Sequence, residues 1–275
     1  MYTTAESPLF SFCGKHCEEM DVSFIPTQFP FVPAQVIPLI TVPGRHGSLR
    51  WPGRTFAPRT LKGTLYLLHT QGDDEPITTE EMLRRSSALV LWLCGQDGRG
   101  ELILDALPDR YYLAEVDTEA VLKDTDWENG EATISFTCQP FARSIREDTA
   151  SADTAAETDK TITISASGNY ETPLAFCVKN TSGSVMNTAM MKTSEARFDF
   201  EGLALDAGET LSARYTQDDI LLLEISGVDG EVRSAMAMRT TGSDDDLMVQ
   251  PGINTITVRT QCACSVTLSA RGRWL

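Results

Sequence analysis

Apolar and polar positions alternate along most of this chain, and the dominant period is two. Ala132, Ile134, Phe136 and Cys138 alternate with Thr133, Ser135 and Thr137, which predicts a half-buried strand. The same pattern predicts strands at Leu9–Phe12, Leu61–His69, Glu101–Asp105 and Tyr111–Val116. One stretch departs from it. Thr78-Thr79-Glu80-Glu81 reads as a capping box, with Thr78 accepting from the Glu81 amide and the Glu81 side chain reaching back. Met82, Leu89, Trp92 and Leu93 then recur at helical spacing, and Gly95 ends the helix. Upstream, Pro26, Pro30, Pro33, Pro38 and Pro43 crowd residues 25–43. Proline has no N–H to donate and a fixed φ, so that stretch is expected as extended, irregular or sheet-edge chain.

Residues 147–160 hold no apolar side chain larger than Ala, too little to order themselves, and are expected to be a linker. Beyond them, short strands are predicted at Thr161–Ser165, Leu174–Val178, Arg197–Phe200 and Leu211–Tyr215. Four more follow at Ile220–Ile225, Val232–Met238, Asn254–Val258 and Ser265–Ala270. Gly208-Glu209, Asp229-Gly230 and Pro251-Gly252 supply turns. The expected fold class is mainly β. An N-terminal β-sandwich-like domain with one helix and an extended arm occupies 1–146, and a C-terminal jelly roll occupies 161–275.

Composition adds limits. The chain has 275 residues, 41% of them apolar, enough for a sizeable core without a disulfide or metal staple. Lys and Arg number 23 against 39 Asp and Glu, a net charge of −16, which repels nucleic acid and anionic membranes. No apolar run reaches the roughly 18–20 residues of a membrane helix, and the start carries no basic, apolar leader pattern. A soluble intracellular product is expected. The seven Cys are read as reduced thiols.

Candidate chemistry is thin. Cys13, His16, Cys17, Cys262 and Cys264 are zinc-ligand types. Their C-x3-C and C-x-C spacings are not the paired C-x2-C or H-x3-H of zinc sites, so no metal is assigned. Asp73-Asp74-Glu75 and Asp244-Asp245-Asp246 lack the alternation of a calcium loop and read as solvated turns. Gly95-Gln-Asp-Gly98-Arg-Gly100 has the wrong spacing for a dinucleotide fingerprint. No cofactor and no catalytic residue are assigned, and no enzyme is expected.

Charge placement says more. No acidic residue lies between Asp21 and Asp73, a span holding Arg45, Arg50, Arg54, Arg59 and Lys62. From Asp73 to Arg143, 16 acidic residues face 6 basic ones. A basic arm and an acidic body in one chain allow head-to-tail docking that closes into a ring. Trp51 and Phe56 would be apolar anchors of such an inter-subunit arm. The alternative is a solvated basic loop lying on its own domain.

Four sequence blocks carry a family likeness. They are Phe10-Ser-Phe12-Cys-Gly14, Val42-Pro43-Gly44-Arg45-His46-Gly47, Leu104-Asp105-Ala-Leu-Pro108-Asp109-Arg-Tyr111-Tyr112-Leu-Ala114 and Phe136-Thr-Cys138-Gln-Pro140-Phe141-Ala142. In this order they resemble the distal tail (Dit) proteins of siphophages and their prophage relatives, over about the first half of the chain. The second half matches only in kind, as a galectin-like or carbohydrate-binding-module-like β domain. The resemblance implies a structural protein of the virion tail tip, assembled in the bacterial host cytoplasm. It implies a homo-hexameric ring joining the tail tube protein to the tail-associated or baseplate hub protein, with DNA in transit through the lumen. The basic arm is then a belt on the neighbouring subunit. An acidic lumen would let DNA slide, because holding phosphate needs Lys and Arg. The alternative function is a carbohydrate-binding adhesion module in 161–275, drawing on Tyr170, Phe176, Phe198, Phe200, Tyr215 and Trp274.

Overall fold

A computed structural model describes residues 9–275 apart from 31, 38, 42, 45, 51–54, 68–77, 96–97, 118–124 and 127–130; at 40, 48–50, 125 and 126 it describes the backbone. The chain divides into two compact units, one running to Ala142 and taking in Leu275, the other spanning Arg143–Trp274.

The first unit opens with a two-residue hairpin. β1 (Phe10–Phe12) turns through Cys13-Gly14 into β2 (Lys15–His16). Both turn residues have positive φ, 51° and 74°, the geometry that matches strand twist and that glycine accepts freely. A 3-10 turn over Cys17–Met20 leads to β3 (Val22–Gln28). Four short strands follow: β4 (Gln35–Val36), β5 (Leu39–Thr41), β6 (Ser48–Arg50) and β7 (Thr55–Phe56). The remaining elements are β8 (Arg59–Leu67), α1 (Thr79–Cys94), β9 (Gly100–Leu104), β10 (Arg110–Val116), β11 (Thr125–Asp126) and β12 (Glu131–Ser144).

The main sheet runs β2-β1-β9-β10-β12-β8-β3, with β11 also on β12. Pro26 lies in the edge strand β3, beside a register slip between Pro26 and Gln28, where its missing N–H costs least. From β1 to β3 is five strand steps of about 4.8 Å, or about 24 Å in a flat sheet. The Phe10 and Phe24 rings are nevertheless 5.2 Å apart, so the sheet curls around one core. Phe136 and Trp92 pack on Phe10 at 5.5 and 5.6 Å, and Trp92 Nε1 donates to the Phe12 carbonyl at 3.0 Å, pinning α1 to β1.

The start of α1 differs from the expected capping box in one half. Thr78 Oγ1 accepts from the Glu81 amide at 3.3 Å. The Glu81 carboxylate turns instead to the guanidinium groups of Arg84 and Arg85, at 2.7 and 2.8 Å. Charge-assisted bonds to two cations outweigh a bond to one neutral amide.

The second unit contains β13 (Asp148–Thr154), β14 (Lys160–Ala166), β15 (Thr172–Asn180), β16 (Met186–Lys192), β17 (Arg197–Leu205) and β18 (Thr210–Tyr215). After them come β19 (Leu221–Ser226), β20 (Val232–Ser234), β21 (Met248–Val249), β22 (Gly252–Thr260) and β23 (Cys264–Ala270). One sheet is ordered β13-β23-β15-β18-β19-β20, with β21 on β15; the other is β14-β22-β16-β17. Phe176, Leu211 and Leu268 from the first sheet share a core with Ile164, Phe198 and Ile256 from the second. The described architecture is mainly β with a single α-helix.

The expected linker is corrected here. Asp148–Thr154 pairs residue by residue with Cys264–Ala270 as an edge strand, and the Glu157 amide donates to the Thr260 carbonyl at 2.8 Å. Small side chains suffice because the ladder satisfies the backbone, while Ala150 and Ala152 pack on the core. Two further differences concern strand content. Met186–Lys192 is a strand the sequence pattern does not announce. Val232–Met238 is a short strand followed by a 3-10 turn over Met236–Met238.

Candidate functional site

The proline-rich segment is a β-hairpin built from two nested ladders. β4 pairs with β7 through Gln35 and Phe56, and further out β5 pairs with β6 through Leu39 and Arg50 and through Thr41 and Ser48. Among the described residues neither ladder joins the main sheet. Two features keep this arm apart: prolines that withhold donors and a Pro43-Gly44 turn near the tip. Near that tip, Gly44 and Gly47 both take φ of 80°.

The base of the arm is clamped by residues of two other sequence blocks named above. Where the chain enters, the Phe29 ring meets Tyr112 edge-on at 5.6 Å. Where it leaves, Phe56 meets Phe141 at 5.7 Å, and the Ala57 amide donates to the Ala34 carbonyl at 2.8 Å. Arg59 follows at once. Its Nε and Nη2 donate to the Pro140 carbonyl at 2.9 and 2.6 Å, and its guanidinium lies 5.7 Å from the Tyr112 ring centre. Arg59 is only 3% exposed, and burial pulls its pKa below the ordinary arginine value. Burial also pushes the Tyr112 hydroxyl up, with the nearby Arg59 charge opposing.

The expected arm residues therefore have different fates. Arg45, Trp51 and Arg54 lie outside the described residues, and Arg50 is described by its backbone, in the outer ladder. Phe56 is half-buried at the base, Lys62 is exposed on β8, and Arg59 turns inward. Arg59 thus belongs to the arm's foundation and not to its contact face, because its position on β8 shares the buried side with Leu61 and Leu65. Sequence reasoning did not single out Phe29, Tyr112, Pro140 and Phe141 as clamps. The signal for three of them was their membership in the blocks.

The remaining candidates settle into structural roles. His16 Nδ1 accepts from the Glu18 amide at 3.3 Å, which leaves Nε2 to donate to Asp105 at 3.2 Å. Cys17 Sγ accepts from the buried Phe10 amide. Cys262 and Cys264 sit in the second unit, with Cys264 Sγ 3.5 Å from Met186 Sδ. Among the described residues no three His, Cys, Asp or Glu side chains gather as a metal site. Asp244 accepts from the Arg197 amide at 2.7 Å, in a loop segment.

In the second unit, Phe176, Phe198 and Phe200 interlock in the core with centroids 6.1–6.4 Å apart. The Tyr215 hydroxyl is buried too, which leaves Tyr170 and Trp274, both half-buried, to face a planar ligand. A cleft of about 340 Å³ over β16 and β17 is lined by Thr188, Met190, Arg197, Asp199 and Arg259. Arg197 there pairs with Asp199 at 2.6 Å, so part of its polar lining is self-satisfied.

No family model matches the sequence, and no curated protein matches it. Solved structures do. The Dit protein of SPP1, described as a paradigm of the hub adsorption apparatus in phages infecting Gram-positive bacteria, aligns with 96% of this chain and 98% of its own. The TM-score is 0.62 at 14% identity. The chain has the Dit fold. The phage P2 baseplate in its activated conformation with Ca aligns with 92% of this chain and 90% of its own, at 6% identity and a TM-score of 0.47. The Dit fold spans the chain, so both units fall within it.

Proposed function

We propose that this chain is a structural hub of a phage tail tip. Copies join head-to-tail through the hairpin arm and close into a hexameric ring. The ring links the tail tube protein to tail-associated and receptor-binding baseplate proteins and leaves a bore through which DNA passes. It performs no catalysis, and it assembles in the host cytoplasm before joining the virion. The observation that carries this reading is the arm itself: a hairpin that, among the described residues, pairs with its own halves and is clamped at its base by Tyr112, Pro140 and Phe141. A clamped base with an outer ladder that stands off the main sheet suits a segment whose partner is another subunit. The acidic balance suits a bore that does not hold DNA.

Native mass spectrometry of the full chain tests the proposal. Six-copy assemblies are expected, and their loss on reversing Arg50 and Arg54 to Glu. A strict monomer at every concentration overturns it.

A further inference from the structure

Within the second unit, the outer face of the four-stranded sheet carries polar groups that the fold does not use. Side chains alternate across a strand, so every second residue of β17, β16 and β22 shares this face. The registers set them in three rows. Lys192 lies between Arg197 and Thr257, and Met190 lies between Asp199 and Arg259. Thr188 lies opposite Glu201, and its carbonyl accepts from the Gln261 amide at 3.2 Å. The cleft of about 340 Å³ described above runs over these rows. Rows lie about 6.7 Å apart and strands about 4.8 Å, so the face measures about 13 by 10 Å, room for a disaccharide.

The chemistry is graded along the face. Lys192 directly opposite Arg197 sets two like charges side by side, which destabilises a sheet unless something compensates. Asp199 compensates Arg197 at 2.6 Å, whereas the exposed Lys192 ammonium has no partner among the described residues. At the other end, the Glu201 carboxylate and the Thr188 hydroxyl likewise have none. Gln261 Oε1 accepts from the Asn187 amide at 2.7 Å, which leaves its Nε2 to donate outward. In the middle, half-buried Met190 is an apolar floor. Arg259 beside it holds Glu157 and Asp159 only loosely, at 3.4 and 3.7 Å.

We propose that this face binds an acidic saccharide. Its carboxylate or phosphate sits at Lys192 and Arg197, a ring lies over Met190, and hydroxyls meet Glu201, Thr188 and Gln261. A hydroxyl both donates and accepts, so it is the group that answers a carboxylate and an amide N–H together. A simple anion would leave Glu201, Thr188 and Gln261 without partners, and a neutral sugar would leave the Lys192–Arg197 pair uncompensated. A flat aromatic ligand would find no aromatic side chain in the three rows to stack on. The chain's net charge of −16 does not forbid an anion here. Screening acts over about 8 Å at physiological salt, so the cations within hydrogen-bonding reach set the local field. The site needs no second copy of the chain, so it stands or falls apart from the ring.

Fluorescently labelled disaccharides test this by fluorescence polarisation with the full chain, in three arms: carboxylate-bearing, phosphate-bearing and neutral. Acidic probes are expected to bind about tenfold more tightly than neutral ones, the size of one charge-assisted hydrogen bond. Whichever acidic arm binds more tightly identifies the acid group. Lys192→Gln should erase the preference for acid, and Glu201→Ala should weaken every arm about tenfold. Both positions are exposed, so urea midpoints close to wild type are expected. Lys179→Gln, an exposed cation on the other sheet, should bind as wild type does. Equal binding of acidic and neutral probes overturns the site, as does wild-type binding by Lys192→Gln or Glu201→Ala, or no binding in any arm. Each of these failures leaves the ring reading to be decided by native mass.

Discussion

Arg59 carries its charge into the interior of the first unit, where its partners are a carbonyl and an aromatic ring. Arg59→Ala leaves the Pro140 oxygen without its two donors and opens space over Tyr112, so a destabilisation of about 3 kcal/mol is expected. Lys62→Ala, three residues on and exposed, should change stability by less than about 0.5 kcal/mol. Urea unfolding of the two variants separates them, and equal small losses would return Arg59 to the contact face. The sequence did contain the decisive signal. Arg59, Leu61, Gly63 and Leu65 step by two and share the buried side of β8, so the period that predicts the strand also places Arg59 within it. The run of basic residues in which Arg59 stands masks that period. Tyr112 and Pro140 were legible only as members of blocks, because a clamp is a relation between distant parts of the chain.

Among elements, α1 was the most readable, since its N-cap residue, apolar spacing and end agree with the structure and only the Glu81 half of the expected capping box does not. The redirected Glu81 side chain has a measurable consequence. Hydrogen bonds from Arg84 and then Arg85 lower its pKa from the ordinary 4.5 to about 2. A carboxylate held charged in the folded helix stabilises fully above the unfolded value, and that contribution drains as pH falls from about 4.5 toward 2. Glu81→Gln should therefore flatten the stability curve across that window, read by urea unfolding at several pH values. Wild-type and variant curves running parallel there would contradict the assignment. The edge strand Asp148–Thr154 was hidden for the opposite reason. Its period of two is present, with Ala150 and Ala152 on one side and Thr149 and Ser151 on the other. What sequence could not show is the partner ladder in Cys264–Ala270 that satisfies its backbone. Met186–Lys192 escaped similarly, because methionine gives no β-branched signal and its place between β17 and β22 is set by distant chain.

At the scale of the whole molecule, the lopsided charge was visible in sequence, whereas the hairpin that presents it was not, since its pairing spans a proline-broken stretch. Two electrostatic effects then oppose one another in the proposed assembly. Each copy carries a net charge of −16, so bodies brought together repel over tens of ångströms. The basic arm and the acid-rich body attract at contact distance. Salt separates the two by range, because the screening length is about 30 Å at 0.01 M, about 10 Å at 0.1 M and about 3 Å at 1 M. Raising salt from 0.01 to 0.1 M removes mainly the long-range repulsion, so assembly should strengthen. Raising it toward 1 M weakens the contact pairs as well, so assembly should then decline. Sedimentation velocity at fixed protein concentration across this range should give a maximum near 0.1–0.2 M. Arg50→Glu with Arg54→Glu should lose the high-salt decline, because the attraction that salt screens is gone. A monotonic rise in wild type would mean that apolar contact alone holds the copies together and that the acid-free arm has no ionic part in it.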